Sequence, residues 1–377
     1  MRRPLATPSP PLLDVLGASW ELDAPVTGVA WDGDLAGFAL GDGSVAMGRA
    51  EWDGAARLDP CEGGTQLTPG TAPAPPMARQ RVHRGACLSV TAMQGGGFLS
   101  GGDDGDVIRT DAQGISSMVG RHSGQWVNLV AAGADGLVAA AVGRRVHLLG
   151  PAVQSLDLPA SVRALAFDAS GTRLAMAHYR GVTLWKLGDA LRTLPTLGCP
   201  LSLAWSPDGA YVVCGLQENA LHGWRLSDGG DIEMGGYPGQ PRSLSFSGDG
   251  RVLASSGAPQ VVCWRFDPPS AGSQPMECGL PNSRLPLCQV AYHPRYPLIA
   301  AGYHNGAVML CQPGSDDVLF VKSAAGGSVS ALAWSTDGTR LAMGTQGGSA
   351  GLVTLPGLLF QRVRPPAAGV TLERSMA

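Results

Sequence analysis

The 377-residue chain contains no run of about 18 uninterrupted apolar residues, so a bilayer-spanning helix is excluded on length. Its opening, Met1-Arg2-Arg3 followed by Pro4, Pro8, Pro10 and Pro11, has the basic end of a secretory signal without the apolar middle, and a cytoplasmic location is expected. Charge is sparse: 15% of residues are Asp, Glu, Lys or Arg, the formal net charge is −3, and no long run carries one sign. Neither nucleic acid nor an acidic membrane is therefore expected as a partner. The one local basic group, Arg79, Arg81 and Arg84, reads as a solvated loop edge. None of the eight cysteines forms a Cys-x-x-Cys pair, and several lie in apolar runs such as Val212-Val213-Cys214, so they read as reduced core residues. The chain also lacks a Gly-x-Ser-x-Gly elbow, a phosphate loop and a His-Glu-x-x-His pair. Asp103-Asp104 could pass for paired carboxylates, but neighbours on a strand end point to opposite sides, which spoils shared acid-base work. The chain is expected not to be an enzyme. With no helix long enough for a coiled coil, a monomer is expected.

What the chain has is turns. Its 54 glycines and 29 prolines suit many short strands. Eight times an apolar run meets a tight turn and a second apolar run follows. The turns centre on Asp32-Gly33, Gly95-Gly96, Asp135-Gly136, Ser170-Gly171, Asp208-Gly209, Asp249-Gly250, Arg295-Tyr296 and Asp337-Gly338. Between equivalent glycines the steps are 38 residues (171 to 209), 41 (209 to 250) and 88 (250 to 338), the last being two steps of 44. Spacings of about 40 to 45 residues belong to four-stranded propeller blades.

The fifth unit is the clearest. Ser202-Leu203-Ala204-Trp205 alternates small and large side chains, Tyr211 to Gly215 returns, and Ala220 to Leu226 makes a third strand. A large aromatic recurs just before the turn at Phe167, Trp205, Phe246, Tyr292 and Trp334, where it would wedge between neighbouring blades. The expected fold is an all-β propeller of eight four-stranded antiparallel blades spanning residues 12–355. Residues 1–11 form a flexible segment before it, and 356–377 a tail, disordered from about Pro365. Seven blades would follow if the irregular first unit packed outside the ring. Eight units leave only seven intervals for outer strands, so the segment from Leu12 to Leu22 is expected to complete the last blade and close the ring. The proline-rich stretches at 51–82 and 267–285 read as surface loops.

The wording of these units, Ser202-Leu203-Ala204-Trp205-Ser206-Pro207-Asp208-Gly209 with Trp224-Arg225-Leu226, and Ala331-Leu332-Ala333-Trp334-Ser335-Thr336-Asp337-Gly338, resembles the WD40-repeat family over roughly residues 13 to 355. The resemblance implies an interaction platform for protein partners. It also implies a His, Ser or Thr, Asp and Trp set that locks each blade by hydrogen bonds. His83, Ser100 and Asp104 match that set in the second unit, with Thr110 in the Trp position. Units four, five and six keep Trp185, Trp224 and Trp264 but lack the His and the turn Asp, so no unit has the full network and packing must carry the locking.

In a propeller the loops leading into first strands share one face with the turns between second and third strands. That face would carry Arg144-Arg145, Tyr179-Arg180, Gln217-Glu218-Asn219, Tyr303-His304-Asn305 and Gln346, which replace the usual turn Asp and form the candidate partner-binding surface. The same face would bring His83, His122, His178 and His304 near one another, and imidazoles from different blades could converge on zinc. The readings are therefore a scaffold without cofactors, an accessory protein for metal or cofactor handling, or an enzyme with a site at the channel mouth for which no nucleophile or base can be assigned.

Overall fold

A computed structural model of the chain describes residues 10–61, 64–150, 153–266, 274–280 and 284–361. These residues form eight four-stranded antiparallel sheets, each running from an inner first strand to an outer fourth, arranged as the blades of a ring. The seven-blade alternative fails because the first unit is a full blade: Val26–Asp32, Leu35–Leu40, Ser44–Arg49 and, across the long insertion, Ala78–Arg81. The call of a flexible segment at 1–11 and a tail at 356–377 falls largely on residues 1–9 and 362–377, outside the described residues. Gly357–Gln361 forms a short helix after the last blade. No helix among the described residues is long and apolar enough to cross a membrane.

The ring closes as the strand count requires. Gly17–Glu21 pairs residue for residue with the third strand of blade 8, from Gly17 opposite Val353 to Glu21 opposite Ser349. The residues before it differ from expectation: Leu12–Leu16 is a helical turn rather than strand, burying Leu13 and Leu16 against blades 7 and 8. Two expected loops also carry structure. Within 51–82, Arg57–Cys61 and Gly64–Thr68 pair as an extra hairpin, and Ala78–Arg81 is an outer strand. Within 267–285, Met276–Cys278 supplies the outer strand of blade 6. Proline did not prevent pairing in the hairpin because a two-stranded ribbon has free edges.

Blades are locked to one another at both ends. At the turn end, Trp31, Trp205 and Trp334 each donate an indole N–H to a carbonyl of the preceding blade's inner strand, on Ala333, Ala166 and Ala291, at 3.0, 3.0 and 2.9 Å. The turns themselves are braced. Ser206 Oγ bonds Asp208 and accepts the Tyr211 N–H, and Ser247 with Asp249 and Ser335 with Asp337 repeat the motif. At the opposite end, glycines of four second strands form sockets. A Cβ on Gly101, Gly215, Gly302 or Gly344 would strike the leading residue of the next blade, Val127, Pro241, Val329 or Val26. The inner strands of blades 1, 2, 5, 7 and 8 also bulge near this end, at Thr27, Leu88, Leu201, Cys288 and Ser330. A bulge re-aims the side chain it leaves unpaired.

Candidate functional site

The upper face, opposite the Asp-Gly turns, carries the turns between second and third strands and the loops that lead into each inner strand. Most of the expected surface residues lie there and reach solvent. Arg144 and Arg145 are exposed in blade 3, with Arg145 Nε on Asp157 at 3.0 Å. Tyr179 is 57% exposed in blade 4, and Arg180 beside it holds φ at 66°, a left-handed conformation uncommon for a side chain of this size. In blade 5, Gln217 and Glu218 are exposed, Asn219 also has a positive φ of 58°, and Glu218 accepts the Cys199 N–H at 2.9 Å. His304 bonds Ser328 Oγ at 2.7 Å, Asn305 Oδ1 accepts the Ala307 N–H at 3.1 Å, and Gln346 is exposed.

Tyr303 is the correction. It is fully buried, packed in the core of blades 6 and 7 with Cys278 and Cys311, and its hydroxyl has no hydrogen-bond partner among the described residues. The second strand of blade 7 runs to Tyr303, so the residue shares the inward parity of Ile299 and Ala301. Burial pushes its phenol far above the usual range.

The four histidines do not converge. His83 is buried in the blade 2 network: Nδ1 lies 3.1 Å from Asp104 Oδ1 and Nε2 2.9 Å from Ser100 Oγ. Burial works against ionisation of Asp104, but the N–H groups of Arg84 and Asp106, with His83, outweigh it and hold the carboxyl below its usual value. Its neighbour Asp103 serves a different loop, accepting the Ala86 N–H at 2.9 Å. His178 is buried, with Nε2 on Thr183 Oγ1 at 2.8 Å. His122 packs against His147 with ring centroids 4.0 Å apart and planes tilted by 32°, and burial lowers the pKa of both. Among the described residues no group of three or more His, Cys, Asp or Glu side chains is arranged to hold a metal ion. The zinc reading is not supported by this geometry.

One network escaped the reading of the sequence. In blade 6, Tyr237 takes the place of the missing histidine: its hydroxyl bonds Ser255 Oγ and accepts the Trp264 indole N–H at 2.7 Å, all three being buried. The signal was spacing, since Tyr237 precedes Asp249 by twelve residues as His83 precedes Gly95. Replacing Tyr237 by Phe leaves the aromatic ring in place and orphans the buried Trp264 indole N–H, while Ser255 Oγ keeps its bond to the Val262 carbonyl at 3.1 Å; the expected loss is about 1–3 kcal/mol. The urea midpoint of Tyr237→Phe checks it; an unchanged midpoint would show the triad contributes nothing. Blade 5 differs: Cys214 stands where blade 6 has Ser255, and the buried Trp224 indole N–H has no partner among the described residues.

Three of the exposed apolar residues, Trp126, Tyr179 and Leu197, stand on one part of the upper face. Trp126, 62% exposed, leads into blade 3 and lines a cleft of about 410 Å³ with Arg144, Arg145 and Asp157. Leu197, 90% exposed, lines a second cleft of about 760 Å³ between blades 4 and 5, with Arg180, Glu218, His222, Asp231 and Glu233. Neither Trp126 nor Leu197 replaces a turn Asp, so a search confined to those turns passes over them.

No protein-family model matches the chain, and no curated protein matches it either. Among solved structures it is similar to the crystal structure of the computationally designed Ika8 protein, with a TM-score of 0.69 and 15% identity over 90% of this chain and 99% of that one. At that identity the likeness shows the fold, a β-propeller, and nothing about activity.

Proposed function

We propose that the protein is a non-enzymatic, monomeric, cytoplasmic scaffold of WD40 type that binds a protein partner through the upper face of blades 3 to 5. One observation carries the reading: the two aromatic rings more than half exposed among the described residues, Trp126 at 62% and Tyr179 at 57%, both stand on this arc, beside Arg144, Arg145 and Arg180. Trp, Tyr and Arg are the side chains that dominate binding hot spots. Other exposed apolar side chains, among them Ile115 with Met118 in blade 2, Leu187 with Leu191 in blade 4 and Phe320 in blade 7, stand on outer strands and peripheral turns and include no aromatic ring more than half exposed.

Alanine at both Trp126 and Tyr179 should reduce capture of the partner from native lysate by about tenfold or more, equivalent to a loss of about 1.4 kcal/mol. Mass spectrometry of the captured proteins, with the melting temperature as control for folding, reads the effect. Capture equal to wild type by a folded double variant would sink this surface.

A further inference from the structure

A separate cleft of about 750 Å³ lies on the upper face across blades 6, 7 and 8, over the starts of their inner strands. Its apolar walls include Pro259, Pro286, Leu287 and Val329. Its described lining holds no carboxylate, and its one fixed charge is the exposed Arg242. The guanidinium is engaged by a neutral group: Gln240 Oε1 accepts from Nε at 3.0 Å and Nη2 at 2.6 Å. Those two N–H groups are the edge of the fork that matches a carboxylate or phosphate in bidentate fashion, so the amide oxygen sits where an anionic oxygen would bind more strongly. Across the cleft, His304 is held by Ser328.

The inner ring has the same sign. Four residues before the seam aromatic, or the residue that replaces it, the eight blades carry Arg163 and Arg242 together with Thr27, Leu88, Asn128, Leu201, Cys288 and Ser330. Two cations and no anion at the head of the inner strands, in a chain of net charge −3, make this the place where an anion is attracted. The cleft between blades 4 and 5 is the contrast, with Glu218, Asp231 and Glu233 on its walls.

We propose that the cleft over blades 6 to 8 binds a small organic anion: a carboxylate or phosphate head on the Arg242 fork, displacing Gln240, with an apolar body against the proline and leucine walls. Its volume lies within the about 300–1,000 Å³ typical of small-molecule sites. The proposal is independent of the protein-binding arc.

The test is ligand-detected NMR and calorimetry on the full chain with four probes that share a phenyl body: phenyl phosphate, phenylacetate, uncharged phenylacetamide and cationic phenethylamine. Saturable binding of at least one anion, about tenfold tighter than the amide or amine, is expected, and the tighter anion identifies the head group. Arg242→Gln should abolish that preference, Gln240→Ala should preserve or strengthen it, and Arg295→Gln, on the lower face, should leave it unchanged. Arg242 is exposed, so the melting temperature of Arg242→Gln should equal that of wild type. No saturable anion binding, equal binding of all four probes, or a preference that survives Arg242→Gln overturns the proposal.

Discussion

Deleting residues 12 to 24 should abolish the cooperative thermal transition of the full ring. The segment buries Leu13, Leu16 and Leu22 to 5–6% exposure and satisfies the edge of the last blade over five residues. It also holds the neighbouring blade, since Leu22 N–H donates to Gly348 O at 2.9 Å while Arg79 Nη1 donates to Leu22 O at 2.8 Å. At about 1.5–3 kcal/mol for each buried leucine, the three contribute roughly 5–9 kcal/mol. That is comparable with the whole stability of a typical domain, about 5–15 kcal/mol. Nothing else among the described residues pairs with the third strand of blade 8 on that side, so the deletion leaves an open edge as well as a hole. Calorimetry of the truncated chain checks the expectation. A melting temperature equal to the full chain's would mean that this strand does not close the ring.

Gly215→Ala should be strongly destabilising. A methyl there falls on the Pro241 carbonyl oxygen and on Ser202 Oγ, the two ends of a 2.8 Å hydrogen bond across the seam of blades 5 and 6. One of the obstructing atoms is backbone, so relief requires the blades to part rather than a side chain to rotate. The expected loss is about 3 kcal/mol, the upper end of overpacking costs. Gly28→Ala is the comparison: its methyl meets only Val90, nearest at 3.3 Å, and should cost far less. Urea midpoints of the two variants measured side by side decide the matter; equal midpoints would show that the socket is compliant.

The parts of the molecule legible in the sequence were those that repeat. The turns, the aromatic before five of them and the unmatched outer strand follow from period and counting, and Trp205 and Trp334 do bridge blades as a wedge residue should; Trp31, which was not among the five, does the same. What was not legible depends on contacts that no period encodes. Gly215 and Pro241 belong to different units, and neither stands out until the second strand of one blade is laid against the head of the next. Leu12–Leu16 is as apolar as a strand of the same length, and its helical turn is selected by the pocket that receives Leu13 and Leu16. Tyr303 was misplaced because His304, Asn305 and Gly306 beyond it read as a turn, although the alternation from Ile299 already turned its ring inward. Trp126 and Leu197 are lone apolar residues in loops, and only the folded ring brings them to one arc of one face with Tyr179.

The pairing of Gly17 with Val353 joins positions 336 residues apart in sequence. Contacts that distant are the slowest to find, because the whole intervening chain must be confined before they return any stabilisation. The final closing step must therefore come late, after the strands of blade 8 exist to receive the N-terminal segment. Until then both ends of the open arc present apolar blade faces and an unpaired strand edge, a state prone to association with other unfinished chains. Refolding yield should accordingly fall as protein concentration rises, even where the finished ring is monomeric and stable.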